Sequence, residues 1–329
     1  MKHRAHAFSR RCITHSLLAG LLGLLAFSAH AQEGPAAKII VGFPAGGSFD
    51  AIARLIAEKA KTELGRPIVV DNKTGAGGRI AVDALKASPA DGSVVMLGPD
   101  ALTALYPFTF KKLSYDPKKD LVPIGTAAEF AFSFAVGTNP KANTWAEYVA
   151  WAKQNPKDAN YGIPALGAPH HFYGIALGDA IGVPMQNVPF QGSAPINLAL
   201  MGGQISSSID VASSQVENHK AGKIKMLAVT TETRIPQAPD VPTFAELGFP
   251  NVSGSGFNAL YAPAGTPAAA VAQWNKALVK IMAMPDVKDK IMAMGFMPVG
   301  KSTQELIDRQ NASAKKWEPV IKASGFTAD

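Results

Sequence analysis

Residues 38–71 read KIIVGFPAGGSFDAIARLIAEKAKTELGRPIVVD, and this stretch decides the fold. Segment 38–43 is short, apolar and rich in branched side chains, which marks a buried strand. Pro44-Ala45-Gly46-Gly47-Ser48-Phe49-Asp50 then interrupts it with turn-forming residues. Ile52, Leu55, Ile56, Ala60 and Leu64 recur at helical spacing, with Arg54, Glu58, Lys59 and Lys61 on the other faces. An amphipathic helix follows from that pattern. Gly65 ends it, and 67–71 (PIVVD) is a strand again. Strand, helix and strand form a crossover unit, which requires a parallel sheet.

The same grammar continues outward. Gly75-Ala76-Gly77-Gly78 opens a second helix around 80–87, and 94–98 (VVMLG) is a third strand, so the first hundred residues predict a doubly wound α/β unit. In the middle, Thr144-Trp145-Ala146-Glu147 is a capping box that starts a helix to about Gln154. Strand-like pieces follow at 161–163, 186–190, 205–210 and 226–230, with a second capping box at Thr243-Phe244-Ala245-Glu246. The tail returns to helices. Thr266-Pro267 reads as an N-cap followed by proline at N1, with Val271, Trp274, Leu278 and Ile281 on one stripe. Ser302 to Glu305 caps the last helix, which Pro319 is expected to kink or shorten. Two α/β halves with a helical return suit a cleft between lobes.

The N-terminus carries an address. Lys2, Arg4, Arg10 and Arg11 precede an apolar run at 17–27, and Ala29-His30-Ala31 is an A-x-A cleavage site. The run is shorter than the ~20 residues a membrane span needs. We therefore expect export by the general secretory route, with residues 1–31 removed and the mature chain in the periplasm. Losing four basic residues takes the formal net charge from +7 to +3, and five scattered arginines remain. That balance gives no argument for nucleic acid. The sole cysteine, Cys12, leaves with the address, so the mature chain has no disulfide or thiol chemistry.

The glycine loops are the candidates for chemistry. Helix N-termini present unpaired N–H groups and partial positive charge, so each loop can stabilise an anion without an arginine. Both lie at the carboxyl ends of strands, where open sheets bind ligands. Nucleotide binding fails on the letters: neither Gly42 to Gly47 nor Gly75 to Ile80 spells G-x-G-x-x-G, and no G-K-[ST] follows. The chain also lacks G-x-S-x-G. His170-His171 is the one pair that could imitate a base or a metal site, but no H-E-x-x-H or cysteine cluster supports it. No catalytic residue, metal or cofactor is expected. In the middle half, Gln191-Gly192-Ser193-Ala194-Pro195 is a third polar loop opening a helix, and Asp210 ends a strand.

Taken in order, these loops resemble the Bug-type extracytoplasmic solute-binding receptors of tripartite tricarboxylate transporters. The resemblance rests on Phe43 to Asp50, Gly75 to Gly78, Tyr115-Asp116-Pro117 with Asp120, Gly167 to His171 and Val188 to Pro195. It continues through Gly202-Gly203-Gln204, Pro239 to Thr243 with Glu246 and Gly248, and Ala262 to Pro267, covering essentially the whole mature chain.

It implies a type II periplasmic-binding-protein fold: two doubly wound α/β lobes around a ligand cleft, with lobe 1 at 32–131 and 255–329 and lobe 2 at 132–254. It further implies that Phe43, Pro44, Gly46, Gly47, Ser48, Asp50, Gly75, Ala76, Gly77 and Gly78 hold one carboxylate of a small ligand. The selective contacts would come from His171, Gln191, Ser193, Ala194 and Asp210. The ligand would be a dicarboxylate, an aromatic acid or an amino acid, delivered by a monomeric receptor to membrane permease subunits. Two alternatives stay open: a ligand sensor feeding a sensor kinase ectodomain, and a periplasmic enzyme using His170 and His171. Phe190-Gln191 departs from the family's common tyrosine followed by lysine or another residue, and Phe257-Asn258 replaces a frequent tryptophan-x-glycine.

Overall fold

A computed structural model describes residues 35–328; the expected address lies outside them. The crossover unit forms as read. Strand β1 (Ala37–Val41) pairs in parallel with β2 (Ile68–Asn72) and β3 (Val94–Pro99). The connecting helix Ser48–Leu64 buries Ile52, Leu55, Ile56 and Ala60 on the sheet side and ends at Gly65.

Three further strands complete this sheet in an order that chain sequence does not suggest. β4 (Leu121–Phe130), β10 (Gly256–Pro263) and the short β11 (Met297–Pro298) give β11-β4-β10-β3-β1-β2, with β10 antiparallel to both β3 and β4. The second sheet repeats the plan. β6 (Asn160–Ile163) runs parallel to β7 (Gln186–Pro189) and β8 (Ser207–Val211). β5 (Phe132–Val136) is inserted antiparallel between β8 and β9 (Lys225–Val229), giving β7-β6-β8-β5-β9. In each sheet the inserted strand is the one arriving from the other half. The chain passes from β4 to β5 through Ala131 alone and returns through residues 230–255.

That topology fixes which edges face each other. β4 ends and β5 begins at the first crossing, so residues in register with Phe130 and Phe132 sit where the two halves meet. These are Gly256 opposite Phe130, and Val211 and Asp210 opposite Phe132 and Ser133. The carboxyl ends of β1, β3, β6 and β8 therefore point into the space between the lobes. Phe130 and Phe132 pack edge-on across the crossing at 5.4 Å.

Three local expectations are corrected. Pro319 does not break the last helix, which runs Thr303–Ser324 behind a complete Ser302–Glu305 capping box. An internal proline costs ~3 kcal/mol, and the flanking Trp317 and Ile321 are buried, with Trp317 against Tyr173 at 4.7 Å, so packing holds the helix through it. Thr266 does not cap its helix: its hydroxyl donates to the Pro263 carbonyl, and the helix Ala268–Ala283 begins with Pro267 as N-cap. Thr243 and Glu246 make both capping-box bonds, yet they close a turn, with Glu246 also paired to Arg234.

Candidate functional site

The first glycine loop follows β1 onto the edge that faces the second lobe. Pro44, Gly46, Gly47 and Ser48 are exposed, while Phe43 is half-buried with its ring stacked on Phe49 at 4.4 Å. Gly47 caps the helix Ser48–Leu64 without a side-chain bond, so the first-turn amides of Ser48, Phe49 and Asp50 keep free donors. The second loop follows β2. Ala76 and Gly77 lie exposed in a 3-10 turn capped by Gly75, again with no side-chain bond, and Gly78 is buried. The two loops touch: an ideal Cβ on Gly42 would lie 2.6 Å from the Gly78 Cα, so only a hydrogen fits there. Gly77 has φ +64 and a Cβ there would strike the Tyr106 hydroxyl, which itself donates to the Gly77 carbonyl at 3.2 Å.

The Asp50 side chain is engaged within the loop. Its buried carboxylate accepts from Gly46 N–H (2.9 Å), Arg54 Nε (2.8 Å) and Asn72 Nδ2 (3.0 Å), and Asn72 Nδ2 also donates to the Phe43 carbonyl. The Arg54 hydrogen bond foremost, then the Gly46 and Asn72 donors, bring its pKa down to about 2 against the effect of burial. Asp50 thus clamps the loop from behind and leaves the loop's helix-start amides without a side-chain partner. Arg54 neutralises it, so the loop is a neutral set of donors backed by an ion pair. Neither Arg54 nor Asn72 stood out in the sequence, because an exposed helix arginine and a strand-end asparagine have no motif.

The second lobe brings three loops to the facing edge. Gln191 and Ala194 are exposed and Ser193 half-buried at the start of the helix Ser193–Met201, which Gly192 caps without a side-chain bond. Asp210, at the end of β8, is fully buried: Oδ1 accepts from Val211 N–H at 2.7 Å and Oδ2 has no hydrogen-bond partner among the described residues. Burial pushes its carboxyl up to about 6, opposed by the Ser193 and Ser214 hydroxyls.

His171 lies inward of the edge. Its ring lies in the core against Phe326 at 4.8 Å, Nδ1 accepts from Gly167 N–H, and Nε2 sits 3.2 Å from the Asn187 amide. The neighbouring His170 takes the edge position instead, with Nε2 3.9 Å from Asp210 Oδ1. Successive residues at a helix start point about 100° apart, so only one of the pair reaches the edge.

A third element of the edge escaped the sequence reading. Asp100 follows β3 and is buried, with its carboxyl pushed up to about 7 by burial and held back by Arg309 and Lys316. Being the residue after a parallel strand's carboxyl end was the available signal. Near the crossing, Arg309 pairs with Glu129 and donates to Ser255 Oγ, and Lys316 donates to the Ser253 carbonyl beside the Tyr173 ring. Among the described residues no group of three or more histidine, cysteine, aspartate or glutamate side chains could hold a metal.

Two α/β lobes of the same strand order, joined by two crossings and facing each other with loops at strand ends, define a solute-binding receptor of the type II periplasmic-binding-protein fold. The model of the tripartite tricarboxylate transporter family receptor matches residues 52–326, and the chain belongs to that family. A UPF0065 protein of Cupriavidus necator is 31% identical over 327 residues, 98% of each chain. An R. palustris protein solved with adipate superposes with a TM-score of 0.80 at 30% identity, covering 89% of this chain and 99% of its own. MatC of Rhodopseudomonas palustris with bound malate gives 0.75 at 27% identity, covering 88% and 99%.

Proposed function

We propose that the chain is an exported periplasmic receptor that captures a small carboxylate between its lobes and delivers it, as a monomer, to the permease subunits of a tripartite tricarboxylate-type transporter. The observation that carries this reading is the pair of touching glycine loops, whose Ser48, Phe49, Asp50, Ala76 and Gly77 amides remain unpaired at the facing edge. Amides at helix starts bind an anion without a counter-charge, which suits a ligand that must also be released. Adipate and malate, held by two structural neighbours, are small carboxylates of the class this reading names. We divide the chain into 32–131 with 255–329 and 132–254, so a hinge would fall at Ala131 and in the return stretch. Closure would then exclude water and strengthen the charge-assisted bonds.

The test is unfolding temperature against a panel of dicarboxylates, aromatic acids and amino acids. Preferential binding to the folded state raises the midpoint for at least one of them. A flat response across the panel would sink the reading. Gly47→Leu should abolish the rise while leaving the apo protein folded.

A further inference from the structure

The second lobe's facing edge is built differently from the first. Where the first lobe offers donors alone, the second sets beside its own helix-start amides at Ser193 a buried pair, His170 and Asp210, with side chains 12% and 1% exposed. His170 begins the helix Pro169–Ile181 just after β6, and Asp210 lies on neighbouring β8. Both ring nitrogens of His170 and Oδ2 of Asp210 have no partner among the described residues. Buried polar atoms are almost always paired, so three in one place mark a surface made for something else to bind. The Phe132 ring stands edge-on to His170 at 4.9 Å and holds the imidazole in place.

Among the described residues no lysine or arginine pairs with His170 or Asp210. The loops 164–170, 190–195 and 211–216 contain no lysine or arginine. The two cations of the C-terminal helix near the crossing are already engaged, Arg309 with Glu129 and Ser255, and Lys316 with the Ser253 carbonyl and the rings of Tyr173 and Trp317. Burial drives the His170 imidazole down to about 3, so it is neutral at neutral pH and supplies one acceptor and one donor. A second carboxylate at this end would meet a buried carboxylate with no intervening positive charge. An amide, hydroxyl or ammonium would instead donate to Asp210 Oδ2 and the free imidazole nitrogen.

We infer that His170 and Asp210 are the selectivity determinants of the cleft and favour a monocarboxylate whose far end donates hydrogen bonds over a dicarboxylate of the same length. This rests on the carboxylate reading above and names the class of ligand within it.

Calorimetric titration with sets of acids matched in chain length tests it: the dicarboxylate, its monoamide, the terminal hydroxy acid and the terminal amino acid. At least one donor-ended acid should bind about tenfold or more tighter than its dicarboxylate, a gap of ~1.4 kcal/mol. Asp210→Asn keeps the acceptor for Val211 N–H and removes the charge, so the gap should close or reverse. His170→Phe, which retains ring packing on Phe132, should weaken the donor-ended acid more than the dicarboxylate, and an apo melting curve shows whether each variant is folded. A dicarboxylate preference in the wild type, or an unchanged ratio in both folded variants, overturns this inference while leaving the carboxylate reading intact. Failure of every acid to bind overturns both.

Discussion

Replacing Asp50 by Asn separates the clamp behind the first loop from the loop itself. In the native protein the carboxylate takes bonds from Gly46 N–H, Arg54 and Asn72, and its pKa falls from 3.8 to about 2. A shift of that size corresponds to an upper figure of ~2.4 kcal/mol at ~1.36 kcal/mol per unit. Because the Arg54 side chain is 54% exposed, solvent screening reduces this to ~1–1.5 kcal/mol. Asparagine keeps the shape, but its amide turns a donor toward Gly46 N–H or leaves Arg54 unneutralised. For a chain of this size the loss lowers the melting temperature by about 2–6 °C.

The pH dependence follows from the sign of the shift. A carboxylate whose folded pKa is depressed contributes stability above its unfolded pKa and loses it as pH falls through its folded pKa. The difference between wild type and Asp50→Asn should therefore be full near neutral pH and shrink between about pH 4 and about pH 2. Calorimetry of both proteins across that window measures it, and acid affinity should fall with the loosened loop. Equal melting temperatures at neutral pH, or a difference that persists undiminished in acid, would refute the clamp.

Other substitutions probe the remaining contacts. Gly42→Ala places a methyl against the Gly78 backbone and should cost ~1–3 kcal/mol of stability by overpacking; denaturant titration would show it, together with weaker acid binding as the two loops separate. His171→Leu should lower the unfolding midpoint, through the lost Gly167 and Asn187 bonds, while carboxylate affinity stays within about twofold of wild type, ~0.4 kcal/mol. A larger loss of affinity measured by titration would return His171 to the cleft.

Much of the fold was legible in residues 38–71, because a parallel crossover unit leaves a local record: a buried strand, a glycine break, a striped helix and another strand. The site was legible to the same depth. A glycine-rich turn before a helix announces free amides wherever it occurs, so the first-lobe loops could be named from the letters alone. His170 and His171 were indistinguishable in sequence, since adjacent residues share every local property and differ only in which way the helix start turns them.

By itself the sequence determined the α/β class, the two glycine loops that open helices at strand ends and the absence of nucleotide and hydrolase motifs. Tertiary structure alone decided where β5 and β10 lie. Residues 121–136 are one nearly unbroken run of apolar and small residues, and nothing local signals that Ala131 carries the chain from one sheet into the other. Strand insertion is a pairing between segments far apart in the chain, as Val211 beside Phe132 and Gly256 beside Phe130 show. That pairing brings Asp100, His170 and Asp210 to the facing edges. Burial there, which depends on tertiary packing, gives those side chains the perturbed protonation that a linear reading has no means to register.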